Sequence, residues 1–357
     1  MVTLTWLLSR MLFMRFVAIL LGVSIFFLTL DIATYAEEIL ATRGNDLWAI
    51  AHYGALRLPA TLSSFFGISI LLASLLMLSD VASHSELVAI WSAGVSQFRI
   101  VGMLLPLAVL LGIAHFLIDD RGVPWAAPTL HQWGIGDYRE KKLELGASDP
   151  IWMHSGNDIL RAVKANAEAS ELEDVIIFRR SPDGVLAEQI MAEEARLVDG
   201  RWELEGVAIY YRENAPPSRV ERLIYSGLMR PTSVGSRSGD PEEMSIGELS
   251  HFIANAGFGI RPVHVYETWV NKRFTLLLTG VLMILISVPL AARFQRGSGL
   301  GILFAAGVGL GFTFFIFDGI SLTMGELGLL PPWLAAWLPT MMFTSIAGVI
   351  AFHHDTL

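Results

Sequence analysis

The stretch IVGMLLPLAVLLGIAHFLIDDR, residues 100–121, decides the class of fold. Residues 100–118 contain no Asp, Glu, Lys or Arg, and the charges begin at Asp119, Asp120 and Arg121. A helix needs about 20 mostly apolar residues to cross a hydrocarbon layer about 30 Å thick, so this run predicts a membrane span that ends at Asp119. Five further stretches qualify, at residues 11–34, 59–78, 274–292, 300–322 and 330–352. The sequence therefore predicts a polytopic α-helical membrane protein with six transmembrane helices, three on each side of a polar insert.

The composition agrees with a membrane protein and narrows the possible functions. Of 357 residues, 53% are hydrophobic and 17% are charged, and the mean hydropathy is +0.53. The net charge of −9 argues against a nucleic-acid partner, because binding a polyanion requires a basic face. The chain has no cysteine, which excludes disulfides, thiolate metal sites and cysteine nucleophiles. It also has no Gly-Lys dipeptide and hence no P-loop, and we expect no metal and no cofactor.

The insert, residues 119–271, is predicted to be a β-rich domain. Short runs rich in β-branched and aromatic residues lie at 150–154, 159–165, 174–179, 185–191, 201–211 and 219–226. Turn signals such as Ser181-Pro182-Asp183-Gly184 and Asp199-Gly200 separate them. We expect an antiparallel sandwich or jelly roll, between a first membrane part at 1–118 and a second at 272–357.

A short helix is predicted where the insert leads back to the membrane. Ser245 precedes Glu248 by three residues, the spacing of a capping box in which each side chain satisfies a free backbone N–H. The helix is expected to end near Gly257 or Gly259.

The distribution of basic residues between the loops gives a weak indication of the orientation in the membrane. Six spans place both termini on one side, and the first span is expected to be retained because Tyr35, Glu37 and Glu38 follow it where a cleavage site would need small residues. Basic residues near the amino terminus and in the loops after the second and fourth spans lean toward cytoplasmic termini. Arg121, Lys272 and Arg273 flank the insert on the opposite side, so the bias is small. The insert is then expected in the periplasm.

A segment at about 82–97, between the second and third spans, is predicted to form a short helix along the membrane. Leu87, Ile90 and Trp91 share one apolar face, Glu86 suits the first turn, and Gly94 supplies a stop. From physics alone the segment could equally be an interfacial connector that anchors a loop.

Two sequence patterns resemble the LptF/LptG permease family. The first is Leu71-Leu72-Ala73-Ser74-Leu75-Leu76, followed by Ser85-Glu86-Leu87-Val88 and Ala93-Gly94-Val95-Ser96. The second is Phe317-Asp318-Gly319-Ile320-Ser321, followed by the stretch GELGLLPPWLAAWLP at residues 325–339. The second pattern and the three-plus-three layout are more similar to LptG than to LptF.

The resemblance implies a transmembrane permease of an ABC-type exporter that extracts lipopolysaccharide from the inner membrane of a bacterium. It implies a heterodimer with a homologous six-span permease, two copies of a cytoplasmic ATPase that supply the energy, and a periplasmic bridge protein that receives the lipid. The segment at about 82–97 would be the coupling helix. Its ATPase-coupling residues would be Ser85, Glu86, Leu87, Ile90, Trp91 and Gly94.

Several residues at membrane depth are candidates for contact with the lipid. Asp31 and Asp318 are ionisable groups that are costly in a span unless they face protein, water or a polar ligand, although either could pair locally. Arg57 could meet a phosphorylated head group or act as an interfacial anchor. The aromatic candidates for contact with acyl chains are Phe26, Phe65 and Phe314, although such residues more often face lipid. Family members often carry a cation near the outer end of the first span, where this chain has Asp31 instead.

Other functions were weighed from the residues. An LptF-like role and a lipoprotein-releasing permease are the alternatives within transport. A membrane-embedded lipid-modifying enzyme is the alternative from a different class, and it would need two titratable groups converging at one depth. Gly134-Ile135-Gly136-Asp137 spells a word found in intramembrane aspartyl proteases, but it lies in the polar insert. The chain has no His-Glu-x-x-His zinc motif.

Overall fold

The structure is a computed structural model that describes residues 2–43, 47–83, 96–136, 138, 151–155, 158–164, 171–181, 185–198, 201–211, 216–226, 240–254, 261–293 and 300–355. The chain divides into two compact units. A helical unit comprises Met1–Leu130 and Thr268–Leu357, and an inserted unit comprises His131–Glu267.

The described helices are α1 (Val2–Arg43), α2 (Leu47–Ser83), α3 (Gln97–Leu117), α4 (Val123–Trp133), α5 (Ile246–Ala254), α6 (Val263–Leu276), α7 (Thr279–Arg293), α8 (Leu300–Glu326) and α9 (Pro332–Asp355). A π-helical turn, Ile118–Gly122, joins α3 to α4, and a 3₁₀ turn, Pro241–Glu243, precedes α5. The first two helices are longer than the predicted spans of 11–34 and 59–78, since both begin before and end after those ranges.

Among the residues that the structure describes, four helical stretches are long and apolar enough to cross a membrane: Thr3–Ala41, Leu47–Val81, Phe98–Trp133 and Gly301–Glu326. Helices α6 and α7 qualify together as a fifth, bent by 55° at a short break. The predicted sixth span corresponds to α9, a helix of 24 residues. The polytopic helical class with an inserted β domain is confirmed, whereas the count of six spans stays a prediction.

The core of the helical unit is built around α2, with 56% of its most apolar stretch buried, compared with 22% for α1 and for α8. Large side chains that are fully buried include Leu12, Ile70, Leu71 and Leu75. Helix α2 packs along α1 on one side and along α7 on the other. Helices α1 and α8 therefore lie at the periphery of the unit.

The break between α6 and α7 is fixed by close backbone contact with α3. A Cβ on Gly112 would lie 2.0 Å from the carbonyl oxygen of Leu277, and a Cβ on Gly280 would lie 2.2 Å from that of Ala108. Glycine at both positions lets the backbones of α3 and α7 touch. Since the helix is interrupted at 277–278, the fourth predicted span, expected from 274 without a break, is bent in the structure.

The inserted unit contains one antiparallel sheet of six described strands: β1 (Ile151–Ser155), β2 (Asp158–Lys164), β3 (Glu171–Arg180), β4 (Leu186–Val198), β5 (Arg201–Tyr211) and β6 (Ser218–Tyr225). The strand order is β1-β2-β3-β4-β5-β6, and every pair is antiparallel. All six predicted strands are thus found, with β4 extended by several residues. Among these strands the connections are those of a meander, so the crossovers of a jelly roll are not seen in them.

The sheet has one apolar side on which its core is built. Trp202 and Leu204 of β5 are 1% and 0% exposed, and they cluster with Leu160, Ile177 and Ile190 of neighbouring strands. Buried and exposed positions alternate along much of β5, which is the period of two that a half-buried strand requires.

The predicted capping box is present at the start of α5. The Ser245 N–H donates to Glu248 Oε2 at 2.9 Å, and the Glu248 N–H donates to Ser245 Oγ at 3.3 Å. The described helix ends at Ala254, and the predicted stop at Gly257 or Gly259 lies outside the described residues.

Candidate functional site

Charged side chains of the helical unit form ion pairs at one end of its helices. This end, which we call the insert end, is where the chain leaves for the inserted unit through α4 and returns through α6. The pairs join helices that are far apart in sequence, and we call them together the ionic layer. Its members are Asp31, Arg57, Asp119, Lys272, Arg273 and Asp318.

The first pair joins α1 to α2. Arg57 donates from Nε to Asp31 Oδ2 at 3.0 Å and from Nη2 to Asp31 Oδ1 at 3.1 Å, and the Tyr53 hydroxyl donates to Asp31 Oδ2 at 2.9 Å. Two parallel bonds between a guanidinium and a carboxylate fix direction as well as distance. Pro59, two residues after Arg57, packs close to Gly122 of the π-helical turn. This contact shows that Arg57 lies at the insert end.

The second pair joins α6 to the π-helical turn. Arg273 is 1% exposed and forms a salt bridge with Asp119, whose other oxygen accepts a hydrogen bond from Ser63 Oγ at 2.6 Å. Arg273 lies in the last turn of α6, where the helix dipole favours a cation. Both charges are withdrawn from solvent, so each depends on the other for compensation.

The third pair joins α6 to α8. Lys272 Nζ lies 2.6 Å from each carboxylate oxygen of Asp318, and both side chains are about 85% buried. One turn earlier, Trp269 Nε1 donates to Glu326 Oε1 at 2.7 Å. Adjacent cations on α6 therefore reach in two directions, Arg273 toward the π-helical turn and Lys272 toward α8.

Ser63 and His115 adjoin the second pair but do not form a catalytic triad. His115 Nε2 lies 3.1 Å from Ser63 Oγ, and the imidazole ring stacks on Phe66 at 4.6 Å. In a triad the acid orients the histidine through its second ring nitrogen. Here Asp119 accepts from Ser63 directly and pairs with Arg273, whereas His115 Nδ1 has no hydrogen-bond partner among the described residues. The arrangement supports helix packing better than nucleophilic catalysis.

The sequence over residues 6–353 matches the model of a protein family described as lipopolysaccharide export system permease LptF/LptG. The chain belongs to this family. It is similar to a lipopolysaccharide export system permease protein LptG of Haemophilus influenzae, with 24% identity over 307 residues that cover 84% of each chain. It is also similar to LptG of Escherichia coli K12, with 22% identity over 312 residues and 85% coverage of each chain. The resemblance found in the sequence is confirmed.

The family assignment identifies the helical unit as the membrane part of a permease. The matched range includes most of α1, all of α2 and α3, all six strands and most of α9. The chain is therefore a multi-pass membrane protein related to transporter components over nearly its whole length.

The predicted coupling residues Ser85, Glu86, Leu87, Ile90, Trp91 and Gly94 lie outside the described residues. Their flanks are described: α2 ends at Ser83, and α3 begins at Gln97 with Ser96 as its cap. The Ser96 Oγ accepts a hydrogen bond from the Arg99 N–H at 3.4 Å. The role of this segment in a member of the LptF/LptG family stays a prediction.

The aromatic candidates have different surroundings. Phe26 is 59% exposed and meets Phe27 edge-on, and Phe27 stacks on Phe65 at 4.4 Å. Phe314 is buried and meets Phe343 edge-on at 5.2 Å. Among the three candidates, Phe26 and Phe65 lie on the α1–α2 face, whereas Phe314 belongs to the packing of α8 against α9. Their contact with lipid in this permease-family chain stays a prediction.

The structure brings together some charged candidates and adds others. Asp31 and Arg57, proposed separately from the sequence, are partners, and Asp318 is paired with Lys272. Sequence reasoning did not assign Asp119 or Arg273 to a site. Their position provided a signal, because the residues that end the third span and begin the fourth must meet where the insert leaves and re-enters the bundle.

Proposed function

We propose that this chain is an LptG-type permease subunit that moves lipopolysaccharide out of the inner membrane and passes it to a periplasmic bridge protein. The family match carries this proposal, because it extends over both helical halves and the inserted sheet. Both relatives described above are LptG proteins, which favours an LptG-type role over an LptF-type role.

Energy would come from two copies of a separate cytoplasmic ATPase, since the sequence contains no P-loop. The segment at about 82–97 would be the coupling helix, and Glu86 would contact the ATPase. Because α2 ends at Ser83 and α3 begins at Gln97, this segment connects two spans on a single side of the membrane. That side would be cytoplasmic, with both termini, and the inserted unit would lie in the periplasm.

A homologous six-span permease would complete the transport path. Helices α1 and α8 are its natural contacts in this proposal, since both are peripheral and carry exposed apolar side chains along much of their length. On α1 these include Phe13, Met14, Leu21, Ile25 and Phe26, and on α8 they include Ile302, Phe312, Ile316 and Ile320. Lipid or a partner helix must cover such faces.

The ionic layer would be where the lipid head group is sensed. Each cation of the layer is held by a carboxylate, and a phosphate group is a competing ligand for the same guanidinium or ammonium. In this proposal the phosphates of the lipid compete with Asp31 for Arg57 and with Asp318 for Lys272. Exchange of partners would then loosen α1 from α2 and α6 from α8 while the lipid passes.

The test is purification of the chain from its natural membrane in mild detergent, followed by reconstitution and Glu86→Ala substitution. We expect a bound ATPase and a homologous permease, and we expect Glu86→Ala to lower the amount of lipid extracted for each ATP hydrolysed. The matched control is Glu37→Ala, which removes an acidic side chain near the carboxyl end of α1. This substitution should leave the ratio unchanged. Absence of any ATPase, or chemical modification of lipid by the isolated chain, would overturn the proposal.

A further inference from the structure

Another ion pair lies at the opposite end of the helical unit from the ionic layer. Arg15 of α1 donates from Nη2 to Asp80 Oδ2 of α2 at 2.5 Å, and the two side chains are 28% and 45% exposed. The Nη1 atom of Arg15 is buried without a hydrogen-bond partner among the described residues. The guanidinium is therefore partly withdrawn from solvent toward α2, although a snorkelling arginine would extend into water.

The position of Asp80 makes this pair unusual. Asp80 lies in the last turn of α2, which ends at Ser83, and a carboxylate there opposes the helix dipole. Arg15 lies within the apolar run of α1, where an unpaired cation is disfavoured. Each residue is unfavourable alone and compensated by the other, so the pair fixes where the end of α2 meets α1.

The pair has a counterpart at the other end of α1. Asp31 and Arg57 join the same two helices at the insert end, and Arg15 lies about 24 Å from Asp31 along the axis of α1 at 1.5 Å per residue. Helix α1 packs chiefly on α2. Two ion pairs close to the two membrane faces therefore hold a peripheral helix to the central one.

We propose that Arg15 and Asp80 are positioning residues that transmit movement of the segment after α2 to α1. The inference rests on the proposed function, in which that segment is the coupling helix. Asp80 is next to its beginning, so displacement of the end of α2 displaces Asp80 first. The ion pair carries the displacement sideways to Arg15, and α1 moves with α2 as one body.

The test uses the complete complex reconstituted with its ATPase and partner permease in lipopolysaccharide-containing vesicles. Single substitutions Arg15→Glu and Asp80→Arg are expected to keep ATP hydrolysis within about twofold and to lower the lipid extracted per ATP severalfold. The double substitution restores opposite charges with exchanged positions and is expected to recover most of the ratio. Arg10→Glu is the matched control, because Arg10 lies on the same helix over the ring of Trp6 at 5.4 Å, and it should leave the ratio unchanged.

Neutral variants Arg15→Gln and Asp80→Asn replace the charge reversals if those do not assemble, and the same loss is expected from each. Wild-type ratios in the single variants, or a double variant as poor as either single one, would overturn the inference alone. Absence of ATP-driven extraction by the unsubstituted complex would instead overturn the proposed function, and the inference with it.

Discussion

Replacing Gly112 by alanine is expected to separate two helices that touch through their backbones. The added Cβ would lie 2.0 Å from the carbonyl oxygen of Leu277, whereas real Cβ atoms essentially never come within 3.0 Å of a heavy atom. The shortfall is about 1 Å in a closely packed core, and overpacking costs about 1–3 kcal/mol. We expect the upper part of that range, because the atoms that a Cβ on Gly112 would meet are backbone atoms of Leu277 and not the end of a flexible side chain. The higher helix propensity of alanine offsets about 1 kcal/mol of this cost. The net loss in unfolding free energy is therefore about 2 kcal/mol.

The matched control is Gly102→Ala on the same helix, since nothing lies within 4 Å of a Cβ at that position. This substitution should leave the stability unchanged or raise it by up to about 1 kcal/mol. Gly280→Ala meets the oxygen of Ala108 at 2.2 Å from the other side of the same contact, and its effect should add less than fully to that of Gly112→Ala because one separation relieves both clashes. Unfolding in detergent is the measurement. A Gly112→Ala variant at least as stable as Gly102→Ala would refute the reasoning.

Three further outcomes are expected. Arg273→Met leaves the Asp119 carboxylate buried without its cation and should cost about 3–5 kcal/mol of unfolding free energy; adding Asp119→Asn should recover most of it, and a double variant no better than the single one would contradict this role for the pair. Trp202→Ala leaves a cavity in the core of the sheet and should cost about 3–5 kcal/mol of unfolding free energy. The measurement is the rate of proteolysis within residues 131–267 of the full chain, which should rise. Tyr210 is exposed, so Tyr210→Ala should be cleaved at the rate of the unsubstituted chain. Asp31→Asn weakens the hold on Arg57 and should increase the amount of phosphate-bearing lipid that copurifies, measured by mass spectrometry against the unsubstituted chain. Equal amounts would count against competition between lipid and Asp31.

Much of the fold was predictable because its signals are local. Each of the six strands was found from a short run of β-branched and aromatic residues bounded by turn residues, and the helix at Ile246–Ala254 from its capping box. The break between α6 and α7 was not predicted. Residues 274–292 contain no charged residue. Their composition therefore does not mark a bend whose cause is the backbone of α3.

The candidate site was predictable only in part. Asp31, Arg57 and Asp318 stood out because charged groups are rare in apolar segments. The sequence did not indicate that Asp31 and Arg57 neutralise each other, or that Lys272 accompanies Asp318. Asp119 and Arg273 were treated as flanking charges of the insert, although Arg273 is among the most buried side chains of the helical unit.

Length and hydropathy determined by themselves that this chain crosses a membrane and carries a β-rich insert, because the thickness of the bilayer and the alternation of a strand impose their patterns on consecutive residues. The order of its motifs determined the family. Only the tertiary structure decided which charges pair, since Asp31 and Arg57 are 26 positions apart and Lys272 and Asp318 are 46 apart. Such pairs are set by the distance at which two helices pack, and no single segment of sequence contains that distance.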